Sequence, residues 1–178
     1  MTPLIFSIGG KHPVIHDTAW IAPGAVVCGD VEIGPEASIW YGCVLRADTN
    51  RIRVGARANV QDGTVIHCDA PEQNGAPTII GENALVGHKC LLHGATVDDG
   101  GFVGMDATLL ERARVETGAM LAAGAFLTNG KVVPTGELWA GRPAKKFRDL
   151  KNAEEGLALM AAAHYVAEAK THRTALAE

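Results

Sequence analysis

Along most of the 178-residue chain an aliphatic side chain recurs at every sixth position, and a small residue follows four places later. The first positions run Ile15, Ile21, Val27, Ile33, Ile39 and Leu45, with Ala19, Ala25, Val31, Ala37, Cys43 and Thr49 as their partners. A period of six marks short strands joined by turns and stacked as the rungs of a parallel β-helix. Three hexapeptides close one triangular turn, so eighteen residues make a coil whose strands lie about 4.8 Å from those of the next. After Leu45 the count jumps nine residues to Val54, resumes through Val60 and Ile66, leaps fourteen to Ile80 and takes Val86. It then loses one residue and continues as Val97, Val103, Leu109, Val115, Leu121, Leu127 and Val133. Three breaks fall between 45 and 97, and none elsewhere.

The count sorts the rungs into three faces. The first carries Ile15, Ile33, Val54 and Ile80, the second Ile21, Ile39, Val60 and Val86, and the third Val27, Leu45, Ile66 and Leu91 or Leu92. Leu138-Trp139-Ala140-Gly141-Arg142-Pro143-Ala144 ends the strand pattern and reads as a linker. From Asp149 the composition shifts to Ala, Glu, Leu and Met. Leu150, Ala153, Leu157, Met160, Ala161 and Tyr165 follow a 3.6-residue period, which predicts a helix from about 150 to 171 packed on the outside of the prism. The expected organisation is a β-helix domain over residues 1–148, including a short lead and the linker, and a helical appendage over 149–178.

Composition narrows the partners. With 47% hydrophobic residues, 21 glycines and 5% aromatics, the chain supports one continuous aliphatic core and no second full domain. A net charge of −4 and no block of Lys or Arg give no reason to expect nucleic acid or an anionic membrane, so the expected ligand is small. Met1-Thr2-Pro3-Leu4 lacks the order of a signal peptide and no apolar run approaches membrane-spanning length, which predicts a cytoplasmic protein. The four cysteines form no CxxC pair; Cys43 and Cys90 take small, inward positions and read as buried thiols.

The breaks surround His67, His88 and His93. His67 follows Ile66 on the third face and His93 follows Leu92 one rung on, so their backbones lie about 5 Å apart and both imidazoles can reach one ion. His88, two residues after Val86, belongs to the second face and points away. It completes the site only from a neighbouring copy, which three prisms packed around a threefold axis supply. The same count places Arg46 one rung below His67 with Asp48 two residues on, and Asp62 one rung below His88, so an Arg46–Asp62 ion pair across subunits is expected. Three neutral imidazoles leave a zinc ion its full charge and an open position, which lowers the pKa of bound water to about 7. Imidazole equally accepts ferrous iron or cobalt.

Arg46-Ala47-Asp48, Asn59-Val60-Gln61-Asp62, His67 and Gly87-His88-Lys89-Cys90-Leu91-Leu92-His93-Gly94 resemble the gamma-class carbonic anhydrase family, and the likeness extends through Gly141-Arg142-Pro143-Ala144 to the terminal helix. The resemblance implies a left-handed β-helix in a homotrimer, with His67, His88 and His93 as metal ligands drawn from two subunits. It also implies hydroxide attack on carbon dioxide to give bicarbonate. In that family Asn59 and Gln61 would flank the reacting water, Tyr165 would enter from the terminal helix, and Arg46, Asp48 and Asp62 would form the interface ion pair. The chain departs from the family in the insertion after His67, where Asp69 and Glu72 are the nearby groups able to export a proton. Two rival readings remain open: an acyl-thioester hydrolase using the same metal, and a metal-independent hexapeptide acyltransferase, since one fold hosts several chemistries. A metal-stabilised scaffold without turnover is a third.

Overall fold

Most hexapeptides become a strand of two or three residues and a corner. In the computed structural model, which describes residues 2–177, these stack in parallel register as the count predicts. Ile21 pairs with Ile39, Ile39 with Val60, Val60 with Val86 and Val86 with Val103 on the second face. The first and third faces join in one 12-stranded sheet, because the long strands Val26–Ile33 and Val44–Val54 run around the corner between them; the second face carries an 8-stranded sheet. The result is a three-sided parallel β-helix closed by one helix near the C-terminus.

The aliphatic first positions fill the prism axis. Ile39, Leu45, Val60, Ile66, Val86, Leu92, Leu109 and Leu127 are fully buried in one cluster that runs most of the coil. Each contributes about 1.5–3 kcal/mol on leaving water. The small residues at the fifth positions let the corners close, and Cys43 and Cys90 sit among them with their thiols on backbone carbonyls, Cys43 on Gln61 and Cys90 on Gly104.

Two expectations about the end of the chain need correction. The segment read as a linker continues the sheet: Glu137–Ala140 stacks on Met120–Leu121, and Lys145–Asp149 turns back antiparallel against it, so the second face gains a hairpin edge. The helix begins at Leu157, not near 150, and runs to Ala175. Arg148 holds Glu154 through two hydrogen bonds of 2.6 and 2.7 Å, which ties the end of the last strand to the turns of residues 152–156 and delays the helix. Its buried stripe is Ala158, Ala162 and Ala169, while Met160 is 71% exposed. Small residues face the sheet because the helix lies close over the second face, against the rings of Trp20, Trp40 and Tyr41. A hydrogen bond of 2.8 Å between Tyr41 Oη and His172 Nδ1 ties its last turn down. No helix among the described residues is long and apolar enough to cross a membrane.

Candidate metal centre

Each break in the six-residue count shapes the surroundings of His67 and His93. The nine-residue step is a bulge. Gly29 pairs with Ala47 and Asp30 with Arg51, so Asp48, Thr49 and Asn50 protrude from the strand. A Cβ on Gly29 would stand 2.1 Å from the Ala47 carbonyl oxygen, so only glycine permits the bulge to start there. The fourteen-residue step is a loop from Cys68 to Pro77 with a 3-10 turn at Pro71–Gln73. Bulge and loop lean on each other: Thr49 Oγ1 donates to the Cys68 carbonyl at 2.9 Å and Asn50 Nδ2 to that of Asp69 at 2.8 Å. The five-residue step from Leu92 to Val97 places Gly94 at φ +60, with its amide donating to the His67 carbonyl at 3.2 Å.

These departures aim two carboxylates at two imidazoles. His67 and His93 are register partners on the third face, and His67 Nδ1 lies 3.1 Å from His93 Nε2. The outer nitrogens meet acids: His67 Nε2 hydrogen-bonds Asp48 Oδ1 at 2.8 Å, and His93 Nδ1 lies 3.2 Å from Asp69 Oδ1. Asp48 also accepts from Arg46. Burial pushes the Asp48 carboxyl up, but the bonds from His67 and Arg46 outweigh it and hold the group below its usual value.

The donor set fits a metal. Two ligands about 2.1 Å from one ion at near-tetrahedral to right angles are about 3.0–3.4 Å apart, and the facing nitrogens of His67 and His93 lie within that span. A carboxylate behind each imidazole is the usual outer partner of a ligating histidine, fixing ring orientation and raising basicity. Among the described residues no three His, Cys, Asp or Glu side chains of one chain converge on a point. His88 stands apart on the corner turn after Leu85–Val86, with Nδ1 3.0 Å from Asp62 Oδ2. Cys68 is buried and its thiol is pushed up by burial, so it does not join His67 on the outer surface.

His88 also borders a cleft of about 700 Å³ between the second face and the terminal helix, with Gln61, His164 and Tyr165 among its lining residues. Gln61, Tyr165 and His88 are therefore together on one side of the chain, while Arg46, Asp48, His67 and His93 occupy another. Asn59 lies beneath, 1% exposed, donating from Nδ2 to Ser38 Oγ at 2.8 Å and outside the cleft lining. In the sequence Asp69 stands out only as a group able to export a proton, and nothing in the spacing singles out His164. Gly94, one residue after a histidine at the site of the lost residue, was the signal for the Asp69 contact.

The coil and its six-residue period define a hexapeptide-repeat protein, and the family model described as "Bacterial transferase hexapeptide (six repeats)" matches residues 12–47. The chain is 44% identical over 170 residues to gamma carbonic anhydrase 2, mitochondrial, of Arabidopsis thaliana, covering 94% of this chain and 61% of that one. It is thus shorter than the plant relative, spanning less than two thirds of its length. It is 38% identical to a probable carbonic anhydrase of Methanocaldococcus jannaschii over 79% of this chain and 86% of the relative. A solved hexapeptide transferase family protein from Anaplasma phagocytophilum superposes with a TM-score of 0.89 at 43% identity, covering 94% of this chain and 97% of the other. The chain belongs to the gamma-class carbonic anhydrase family.

Proposed function

We propose that this protein is a metal-dependent carbonic anhydrase-type hydro-lyase that converts carbon dioxide to bicarbonate at sites shared between the subunits of a homotrimer. The observation that carries the reading is the facing pair of imidazole nitrogens 3.1 Å apart, each histidine backed by its own carboxylate. His67 and His93 of one subunit hold a divalent zinc, iron or cobalt ion, and His88 from a neighbour completes the ligand set. When bound, the metal supplies a water acidified to near neutrality. Gln61 orients that water, with Asn59 behind it and Tyr165 closing the side toward the helix. Arg46 leaves one subunit to meet Asp62 of the next. The free, buried cysteines suit a reducing compartment and favour the cytoplasm.

Metal analysis of protein purified without chelator, beside stopped-flow hydration of carbon dioxide by the zinc, iron and cobalt forms, tests the reading. About one ion per chain and activity lost on chelation are expected. Full acyl transfer by metal-free protein, with binding of coenzyme A, would establish the transferase alternative suggested by the Anaplasma relative's name. Mixing His67→Ala with His88→Ala subunits tests the shared ligands. Some trimers then hold an intact site, so activity returns to the mixture, and no rescue at any ratio rejects the shared arrangement.

A further inference from the structure

The cleft beside His88 is larger and more apolar than hydration of carbon dioxide requires. Its volume is about 700 Å³, whereas a substrate of three heavy atoms needs little more room than one or two waters, at about 30 Å³ each. Pockets that bury whole organic ligands run to about 300–1,000 Å³, with apolar walls and a few convergent polar groups. Here Phe102 and Met120 of the second face oppose Leu157 and Met160 of the terminal helix, and no Lys or Arg is among the residues that line the space. Met105 and Met160 are 55% and 71% exposed at its border. Unbranched thioether side chains at such a place adapt to an apolar guest of variable length.

We propose that the cleft is a subsite for a straight aliphatic acyl chain, with its carboxylate or thioester carbonyl beside His88 and Gln61 and its tail between the helix and the sheet. No Lys or Arg lines the cleft, so recognition inside it falls on the chain itself. The placement of the head group rests on the metal reading given above; selectivity for chain length rests on the cleft alone.

Titration calorimetry of the metal-loaded protein with acetate, butyrate, hexanoate and octanoate, and with the matching thioesters of N-acetylcysteamine, tests this. Each added methylene is expected to tighten binding about three- to fourfold until the cleft is full. Ala161→Phe, which fills the cleft from the helix, is expected to flatten the series while leaving acetate binding and metal content unchanged. Carboxylates and thioesters are compared separately, and a slope in either series identifies the head group that the site accepts. A flat series for both on wild-type protein overturns the proposal, whatever the variant does. Protein that hydrates carbon dioxide but shows no chain-length slope sinks the cleft and spares the metal reading; protein that takes up no metal yet keeps the slope does the reverse.

Discussion

Asp69 and Gly94 are fitted to each other. A Cβ at position 94 would stand 2.8 Å from Asp69 Oδ2, an oxygen that is buried without a hydrogen-bond partner among the described residues, while Oδ1 of the same carboxylate faces His93. The lost residue in the third break and the acidic residue opening the second are two parts of one contact.

Removing either part is expected to loosen His93. Asp69→Asn keeps the shape and removes the charge; Gly94→Ala displaces the carboxylate and forces a left-handed backbone on alanine. Outer partners of ligating histidines are worth about 10–100-fold in metal affinity. Zinc affinity measured by competition with a chromophoric chelator is expected to fall by that order in both variants. Affinity equal to wild type in Asp69→Asn would show that the contact orients nothing.

The core makes a different prediction from the helix. Leu92 is fully buried on the rung that carries His93, whereas Leu159 on the terminal helix is 58% exposed. Leu92→Ala is expected to cost about 2–5 kcal/mol in denaturant unfolding. Leu159→Ser should stay within about 0.5 kcal/mol of wild type. Similar costs at the two positions would contradict the assignment of the axial column as the main source of stability.

The coil was legible because a period of six admits few structures and each aliphatic position is checked by its neighbours one rung away. Ile66 and Leu92 pair in the expected register, and His67 meets His93 as the count requires. The position of the breaks was legible too, but not their contents: spacing says that three residues are extra between Leu45 and Val54, not that they follow Ala47 or that Asp48 turns back to His67. The end of the chain is not legible in the spacing, for a physical reason. Gly141 and Pro143 do not stop the sheet, which folds back on itself, and the buried stripe of the helix is Ala158, Ala162 and Ala169, the last of them packed against Trp20 and Trp40.

The buried thiols give a pH signature. Burial pushes Cys43 up to about 12 and Cys90 up to about 11, and it raises Cys28 and Cys68 as well. A raised pKa means that the native state favours the protonated thiol. The stability this contributes is undiminished below the ordinary thiol value of about 8.5, and is lost as pH rises toward 11 to 12. Labelling by iodoacetamide at pH 8.5 is expected to be slow for all four cysteines in native protein and rapid after unfolding. Rapid labelling of Cys43 or Cys90 in the folded state at that pH would contradict their place in the core.

Arg46 carries the last prediction. Within one chain it is bonded to Asp48, itself occupied by His67, while Asp62 stands beside His88. The guanidinium is 47% exposed and keeps donors free for a second acceptor, and Arg46→Ala deletes the proposed partner of Asp62 at every interface of the proposed trimer. Truncating one member of an interfacial charge pair costs about 2–5 kcal/mol where the pair is desolvated, and the loss recurs three times around the ring. Sedimentation at dilute protein is expected to show Arg46→Ala dissociating where wild type remains trimeric. The free subunit is expected to lose metal as well, because His88 then has no neighbour to complete. A variant that stays assembled at the lowest concentration measured would place the subunit contact elsewhere on the prism.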